Sequence, residues 1–452
     1  MKLTFSKMPT ATEVYRTFET SYAPVGRPEA KSASARKQEA SIKLSVVTQF
    51  FPPDFAATGQ LIEELVRHLG AQGMDIKVFS GQPAYAFRSA SAPRLEEYES
   101  VKIVRSRSTQ VWGGRLRGKT LNGLLFAIRT ALHLIKNCRR RDLVLLTTAP
   151  PFLPILGYLI NILSGMPYVC LLYDLYPDIA IELNVVSHQN WIAKCWRSLN
   201  RRVWKRAQEL IVLSPDMKQR IVDLCPEVES KVHVIHSWAD PQKIVPIAKA
   251  NNWFAQEHNL VKKFTVLYSG NMGRCHDIDT IFEAALQLRD EPVQFVCIGS
   301  GAKREMLVEQ VEAANLDNFL FLPYQHKANL PYSLPACDLS LVSVSPGMES
   351  LVAPSKLYSA LASGRPIAAI CPEHTYLKDM LELNNCGAWF DNGDSCGLAS
   401  FIKSLSTNPQ KSEAMGRAAR ACLEENYAPE IIARQYVDVL QKHHVSIIPD
   451  KI

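Results

Sequence analysis

The chain has 452 residues, too many for one hydrophobic core and suited to two domains of ordinary size. Its 47% hydrophobic and 21% charged residues are the proportions of a folded globular chain, which excludes collagen-like and wholly disordered classes. The net charge of +7 comes without a long basic arm, a zinc-type CxxC pair or an RNA-binding signature, so nucleic acid is not an expected partner.

Eleven cysteines are scattered singly, in an odd number and with no repeating spacing. Several, such as Cys170 and Cys297, lie inside apolar strand-like runs. Reduced, buried thiols and a cytoplasmic setting are therefore expected, with no metal set. The first residues lack the apolar run of a secretory signal. Phe152 to Leu172 is nearly all apolar, but Gly165, Met166 and Pro167 divide it. Each piece is too short for a hydrocarbon core of roughly 30 Å, so a helix followed by a strand is expected.

Residues 1–41 are polar, mixed in charge and without sustained periodicity, and read as a disordered extension. A first domain, 42–240, opens with an apolar run from Leu44 to Phe51. A Pro52 to Gly59 loop follows, then an amphipathic helix from Gln60 to Leu69 and a strand beginning MDIKVFS. Strand, loop, helix and strand over so short a span predict a right-handed parallel unit. The theme recurs at Leu143–Thr148, Tyr168–Asp174, Leu210–Ser214 and Val232–His236. A second series, in 241–428, runs through Phe264–Gly270, Val293–Gly301, Phe319–Tyr324, Asp338–Ser343 and Pro366–Ile370. The prediction is an α/β chain of two Rossmann-like, doubly wound parallel sheets facing across a cleft. A last helix, within 429–445, is expected to pack back toward the first domain. Ligands of such sheets bind beyond the carboxyl ends of the strands.

Five stretches on that edge can carry chemistry. Ala57, Thr58 and Gly59 precede a helix, where glycine lets a ligand reach backbone donors, although a tight turn needs the same residue. Asp174 ends a buried run; it can accept from a substrate hydroxyl, act as a base, or cap the next helix. Gly270 to Asp277 (GNMGRCHD) offers exposed amides, with Arg274 and His276 close by. Gly299 to Lys303 carries half a nucleotide-binding fingerprint, and Tyr324 ends the next strand where it can stack on a base. In PGMESLVAPSKLYSALASGRP, Ser355 reads as an N-cap for a helix from Lys356 to Ser363, closed by Gly364 and Pro366. A lysine beside a helix N-terminus suits a phosphate, although Lys356 taken alone reads first as a solvated lysine.

From about Ile42 to Gln441 the chain resembles the family 4 retaining glycosyltransferases of GT-B fold. The likeness is strongest to a bacterial subgroup that builds exopolysaccharide and O-antigen repeats. TQFFPPDFAATGQ, TTAPP, YDLYPD, YSGNMG, HDIDTI, IGSG, FLPYQ and PGMESLVAPSKLY with ASGRP carry the likeness, in that order. It implies a nucleotide-sugar donor, a UDP-sugar being expected, that is a substrate rather than a cofactor. It further implies no obligatory metal, retained anomeric configuration, and a glycan or lipid-diphosphate-linked acceptor.

Residue by residue, the resemblance places Gly59, Asn271, Met272, Gly273, Arg274, Ser355, Lys356 and Leu357 at the donor diphosphate. Gly301 and Tyr324 border the nucleoside, Asp174 and Glu349 are the catalytic carboxylates, and Thr58, His276 and Ser359 assist. The chain departs from the broad family at five positions. Leu351 and Ser359 stand where two glutamates are usual, with Glu349 displaced by two residues. Asn271 and His276 stand where Arg and Lys are usual, and Tyr173 where His is. Two other readings share the fold: a UDP-sugar 2-epimerase-like isomerase, and a non-catalytic nucleotide-sugar-binding protein.

The first half also carries basic clusters: Arg105 and Arg107; Arg115, Arg117 and Lys119; Arg139 to Arg141; Arg197 to Lys205. Trp112, Trp191, Trp196 and Trp204 sit among them. Basic and aromatic residues together suit an anionic membrane surface, with peripheral docking of the first domain on the inner face of the plasma membrane, although an ordinary solvated basic face reads equally well.

Overall fold

A computed structural model describes residues 42–442, apart from 55, 84–91, 99–100, 108–115 and 141. The expected extension at 1–41 lies outside the described residues, as do Trp112 and Arg115.

The first unit alternates strands and helices: β1 (Lys43–Val47), α1 (Ala57–Ala71), β2 (Asp75–Ser80), β3 (Leu95–Tyr98), β4 (Val101–Arg105), α2 (Leu116–Asn137), β5 (Leu143–Thr147), α3 (Leu153–Ser164), β6 (Tyr168–Leu172), α4 (Asp178–Glu182), α5 (Trp191–Arg206), β7 (Leu210–Val212), α6 (Pro215–Leu224) and β8 (Val232–Val234). The strands form one sheet in the order β3-β4-β2-β1-β5-β6-β7-β8, parallel except for the antiparallel edge pair β3–β4. Strands β5, β6 and β7 are buried throughout, as continuous apolar runs between helical layers should be. The apolar stretch at 152–172 resolves as expected into α3 and β6.

The second unit follows α7 (Trp253–Glu257): β9 (Phe264–Ser269), α8 (Asp279–Gln287), β10 (Val293–Ile298), α9 (Arg304–Ala313), β11 (Phe319–Leu322), α10 (Leu330–Ser333), β12 (Leu339–Ser343), α11 (Lys356–Ala362), β13 (Ile367–Ile370), α12 (Tyr376–Leu383), β14 (Gly387–Phe390), α13 (Ser395–Thr407), α14 (Pro409–Asn426) and α15 (Pro429–Gln441). Its sheet is wholly parallel, in the order β11-β10-β9-β12-β13-β14. The chain is thus two parallel-sheet α/β units in tandem.

The units share an apolar seam. Leu357, Tyr358, Tyr376 and Tyr436 belong to the same buried cluster as the β1, β5 and β6 side chains. The connecting segment is clamped: Arg420 of α14 donates to the carbonyls of Ile244 at 2.6 Å, Ala362 at 2.7 Å and Pro241 at 2.6 Å. Glu64 of α1 accepts from Trp238 Nε1 at 2.8 Å and from Lys243 Nζ at 2.7 Å. Helix α15 returns to lie on α1, with Tyr436 edge-on to Trp238. His236 sits among Tyr358, Tyr376 and Tyr427, hydrogen-bonded to Tyr358 Oη at 2.9 Å. Burial pushes its pKa down to about 4, so this ring is neutral.

Three local expectations are corrected. Strand β1 stops at Val47 and α1 starts at Ala57, so Thr58 and Gly59 lie inside the first helical turn rather than in a loop. A first turn needs no intrahelical N–H partners, so the helix can start early without loss. Strand β6 stops at Leu172, leaving Asp174 two residues beyond it. Ser355 precedes α11 but makes no capping bond: its backbone is already helical, at φ −60 and ψ −22, whereas a capping residue is typically extended.

Candidate donor site and cross-lobe carboxylates

The loops after β9, β10 and β12 meet at the first turn of α11. Lys356 Nζ lies 3.8 Å from the centre of the Tyr268 ring and donates to Tyr268 Oη. It also reaches the Asn271 carbonyl at 3.4 Å. Desolvation pushes the Lys356 pKa down to about 7. Beside it, Gly270 adopts φ +128, and a Cβ there would sit 3.7 Å from Lys356 Cε. The ammonium and the glycine turn are therefore neighbours, as a phosphate site requires.

The glycines of the second loop are fixed by packing. Gly299, at φ +129, would carry a Cβ 2.2 Å from the Gly270 carbonyl oxygen. Gly301, at φ +147, would carry one 2.4 Å from the Met272 carbonyl oxygen. Met272 is buried, and its N–H already donates to Ser300 O at 2.8 Å. Met272 is an anchor for the loop, not one of its donors. Leu357 is likewise core, with its N–H given to Pro354 O at 3.1 Å. Among the described residues the Ser355 and Lys356 amides of this turn donate to no backbone carbonyl, as first-turn N–H groups need not. Ser359 turns back onto its own helix, donating to Lys356 O at 3.0 Å. Gly59 is needed whether or not a ligand binds, since a Cβ would lie 3.0 Å from the Phe50 carbonyl.

Asn271 and Arg274 are exposed on the first loop, and Gly273 is half-buried between them. His276 is held at 2.8 Å by the Ser343 carbonyl, and burial, with Lys356 nearby, pushes its pKa down to about 3. It is a neutral ring. Tyr324 stands half-exposed on the rim, its Cε1 3.4 Å from the position of a Gly299 Cβ.

Asp174 faces these loops from the other lobe. Its backbone pairs with Val352, and Leu175 N–H donates to Leu351 O at 3.1 Å. Its charge is felt by Cys275 and Tyr176. Burial pushes its pKa up to about 6. Pro177, not Asp174, stands at the N-cap of α4, so the capping alternative is removed. Glu349 lies on the same crossing segment but turns elsewhere. Its Oε1 is 3.3 Å from His374 Nε2, while its buried Oε2 has no hydrogen-bond partner among the described residues.

Two cross-lobe contacts were not anticipated. Asp216, in the first turn of α6, accepts from the Tyr376 N–H at 3.1 Å and sits close enough to Glu349 for their charges to oppose each other. Glu182 of α4 approaches Gly347, where a Cβ would meet its carboxylate at 3.2 Å. Sequence signals only the local part: Ser214-Pro215-Asp216 is a helix start, and Ser214 does cap α6.

Of the basic and aromatic set, Arg105 is buried, donating to Glu96 at 2.6 Å and Pro52 O at 2.7 Å. Arg197 pairs with buried Asp178 at 2.8 Å, Trp204 is core, and Trp196 stacks on Tyr176. Trp191 is exposed. Among the described residues no cluster of three His, Cys, Asp or Glu side chains could hold a metal ion.

Two family models match: "Glycosyltransferase Family 4" over residues 58–243 and "Glycosyl transferases group 1" over residues 250–421. The chain is 25% identical over 399 residues to the probable glycosyltransferase WbjE of Pseudomonas aeruginosa, covering 87% of this chain and 96% of the relative. It is 25% identical over 355 residues to the putative colanic acid biosynthesis glycosyl transferase WcaI of Escherichia coli strain K12, covering 75% and 86%. The structure of Anabaena Alr3699/HepE in complex with UDP-glucose superposes with a TM-score of 0.66 at 14% identity, over 89% of this chain and all of that one. Two tandem parallel-sheet units, each matched by its own model, place the chain in glycosyltransferase family 4, with the GT-B fold.

Proposed function

We propose that this glycosyltransferase moves a sugar from a UDP-sugar to a glycan or lipid-diphosphate-linked acceptor during cell-surface polysaccharide synthesis, with retention of configuration. The assignment of WcaI to colanic acid biosynthesis and the UDP-glucose bound to HepE support the pathway and the donor. The observation that carries the reading is Lys356, lodged against Tyr268 beside Gly270, with the Ser355 and Lys356 amides at the same point.

The reaction is a front-face displacement. The bond from the anomeric carbon to the phosphate oxygen breaks, and the acceptor oxygen bonds on the same face. The acceptor proton passes to the departing phosphate oxygen. Lys356, Arg274 and the turn amides hold the charge that develops on the diphosphate, where a metal would otherwise be needed. Tyr324 stacks on the base, and Asp174 lies at the reacting sugar, holding a hydroxyl. Glu349, engaged with His374, supports the segment that crosses between lobes and does not touch the sugar.

A panel of nucleotide-sugars tests this. Thermal stabilisation by UDP and UDP-sugars, slow hydrolysis of one of them, and loss of both in Lys356→Ala are expected. Hydrolysis that persists in EDTA is expected too. Product analysis without acceptor separates transfer from epimerisation: a 2-epimerised donor would overturn the proposal.

A further inference from the structure

Helix α2 has two apolar faces. One carries Phe126 and Leu134 into the core. The other carries Leu124, Ile128, Leu132 and Ile135, spaced by four, four and three residues, each at least half exposed. Neighbouring α3 adds Leu159, Ile162 and Leu163, the last 78% exposed. The two helices are side by side: Phe152 fills the space beside Gly123, and Arg140 donates to Ser164 O at 2.7 Å. On the other flank, Arg206 of α5 donates to Asn161 of α3. This is a continuous aliphatic surface rather than scattered side chains, and patches of that kind mark interaction sites.

Its rim is predominantly basic. Lys136, Arg139 and Arg140 are exposed at the end of α2, as is Arg202 on α5, while Lys205 on α5 is paired with the exposed Glu227 at 2.6 Å. Between Ser100 and Tyr173 the sequence has eleven Lys and Arg against a single acid, Asp142. Helix α5 carries no acid at all. An aliphatic face edged by cations complements an anionic lipid surface, which takes up both. Two copies of this chain meeting on the face would bring like charges together. Among the described residues no helix is long and apolar enough to cross a membrane, so the chain would lie on the leaflet.

We infer that the α2–α3 face is a monotopic docking surface for an anionic bilayer leaflet, with its aliphatic side chains in the interface and the α2 and α5 cations on the headgroups. Helix α2 leads into β5, parallel to its neighbours, so α2 runs antiparallel to the strands and begins at their carboxyl edge. The stripe thus runs toward the mouth of the cleft. Docking itself does not depend on the proposed reaction; its use, to present a lipid-borne acceptor at that mouth, rests on that reading.

The test is vesicle flotation of the full chain, with phosphatidylcholine alone and with phosphatidylcholine mixed with phosphatidylglycerol. The parent should bind the anionic vesicles, and high salt should weaken the binding. Leu132→Asp with Leu163→Asp should lower partition at least about tenfold. Lys136→Gln with Arg139→Gln should weaken the preference for anionic lipid. Both variants should melt like the parent and hydrolyse the donor in solution at the parental rate. Anionic vesicles ignored by the parent, or bound equally by the aspartate variant, would overturn the inference. So would light scattering that shows a parental dimer and a monomeric aspartate variant, which would assign the face to a second copy. Loss of donor hydrolysis with flotation intact would count against the proposed reaction alone.

Discussion

Donor binding should carry a proton with it, and Lys356 sets how much. Free in the cleft, this lysine titrates near a pKa of about 7, because the Tyr268 ring and the loop around it displace water. A diphosphate beside the ammonium returns it toward the ordinary value of about 10.5. At pH 8 the free site is then about nine-tenths neutral, so binding UDP should take up about 0.9 proton. Affinity should be flat below the free pKa and fall by up to about tenfold per unit above it. A hydrogen bond to a charged group contributes about 1.5–3 kcal/mol, so Lys356→Met should weaken UDP binding about ten- to a hundredfold below pH 7. The gap between variant and parent should narrow toward pH 9. Isothermal titration calorimetry from pH 7 to 9, in pairs of buffers with different ionisation enthalpies, reads both quantities. Equal proton uptake by parent and Lys356→Met would refute the reasoning.

Asp174→Asn should lower turnover at least about a hundredfold while leaving UDP affinity within a few-fold, measured as kcat against Kd. Because burial raises the Asp174 pKa to about 6, its charge opposes folding above that pH. The same substitution should therefore raise the melting temperature at pH 8 and leave it unchanged near pH 4. Glu349→Gln, in contrast, should cost less than about tenfold in turnover if His374 is its partner, and steady-state kinetics on the two carboxylate variants side by side decides this. Tyr324→Ala should weaken UDP by about 1–3 kcal/mol, the usual worth of a base on an aromatic ring, with UDP titration as the readout. Gly299→Ala should destabilise by about 2 kcal/mol or more, since its Cβ would fall 2.2 Å from the Gly270 carbonyl oxygen at φ +129; chemical denaturation checks this.

Both sheets were legible because fully buried parallel strands are written as unbroken apolar runs, LVLL and YVCLL among them. Strands β3 and β14 at the edges, and β4 beside β3, carry shorter or weaker patterns and were not legible. Helix α11 could be bounded from Gly364 and Pro366, yet whether Ser355 caps it depends on backbone angles that residue type does not determine. Lys356 could be singled out as a phosphate ligand, but not its seat on Tyr268, 88 residues away. The Asp216 and Glu182 contacts join separate lobes and leave no local trace. Burial misled the basic and aromatic reading in the same way: Arg105 and Trp204 are core, while the exposed aliphatics of α2 repeat at the helical spacing that ordinarily marks a core face.

The central claim is that the turn at Gly270–Arg274 and the start of α11 hold one diphosphate between them. Amide hydrogen exchange with and without UDP addresses it directly. Slowed exchange at Asn271, Gly273, Ser355 and Lys356, with Met272 and Leu357 unchanged because their amides are already bonded, is the predicted pattern. Protection confined to the first lobe, or absent from both turns at saturating UDP, would contradict it.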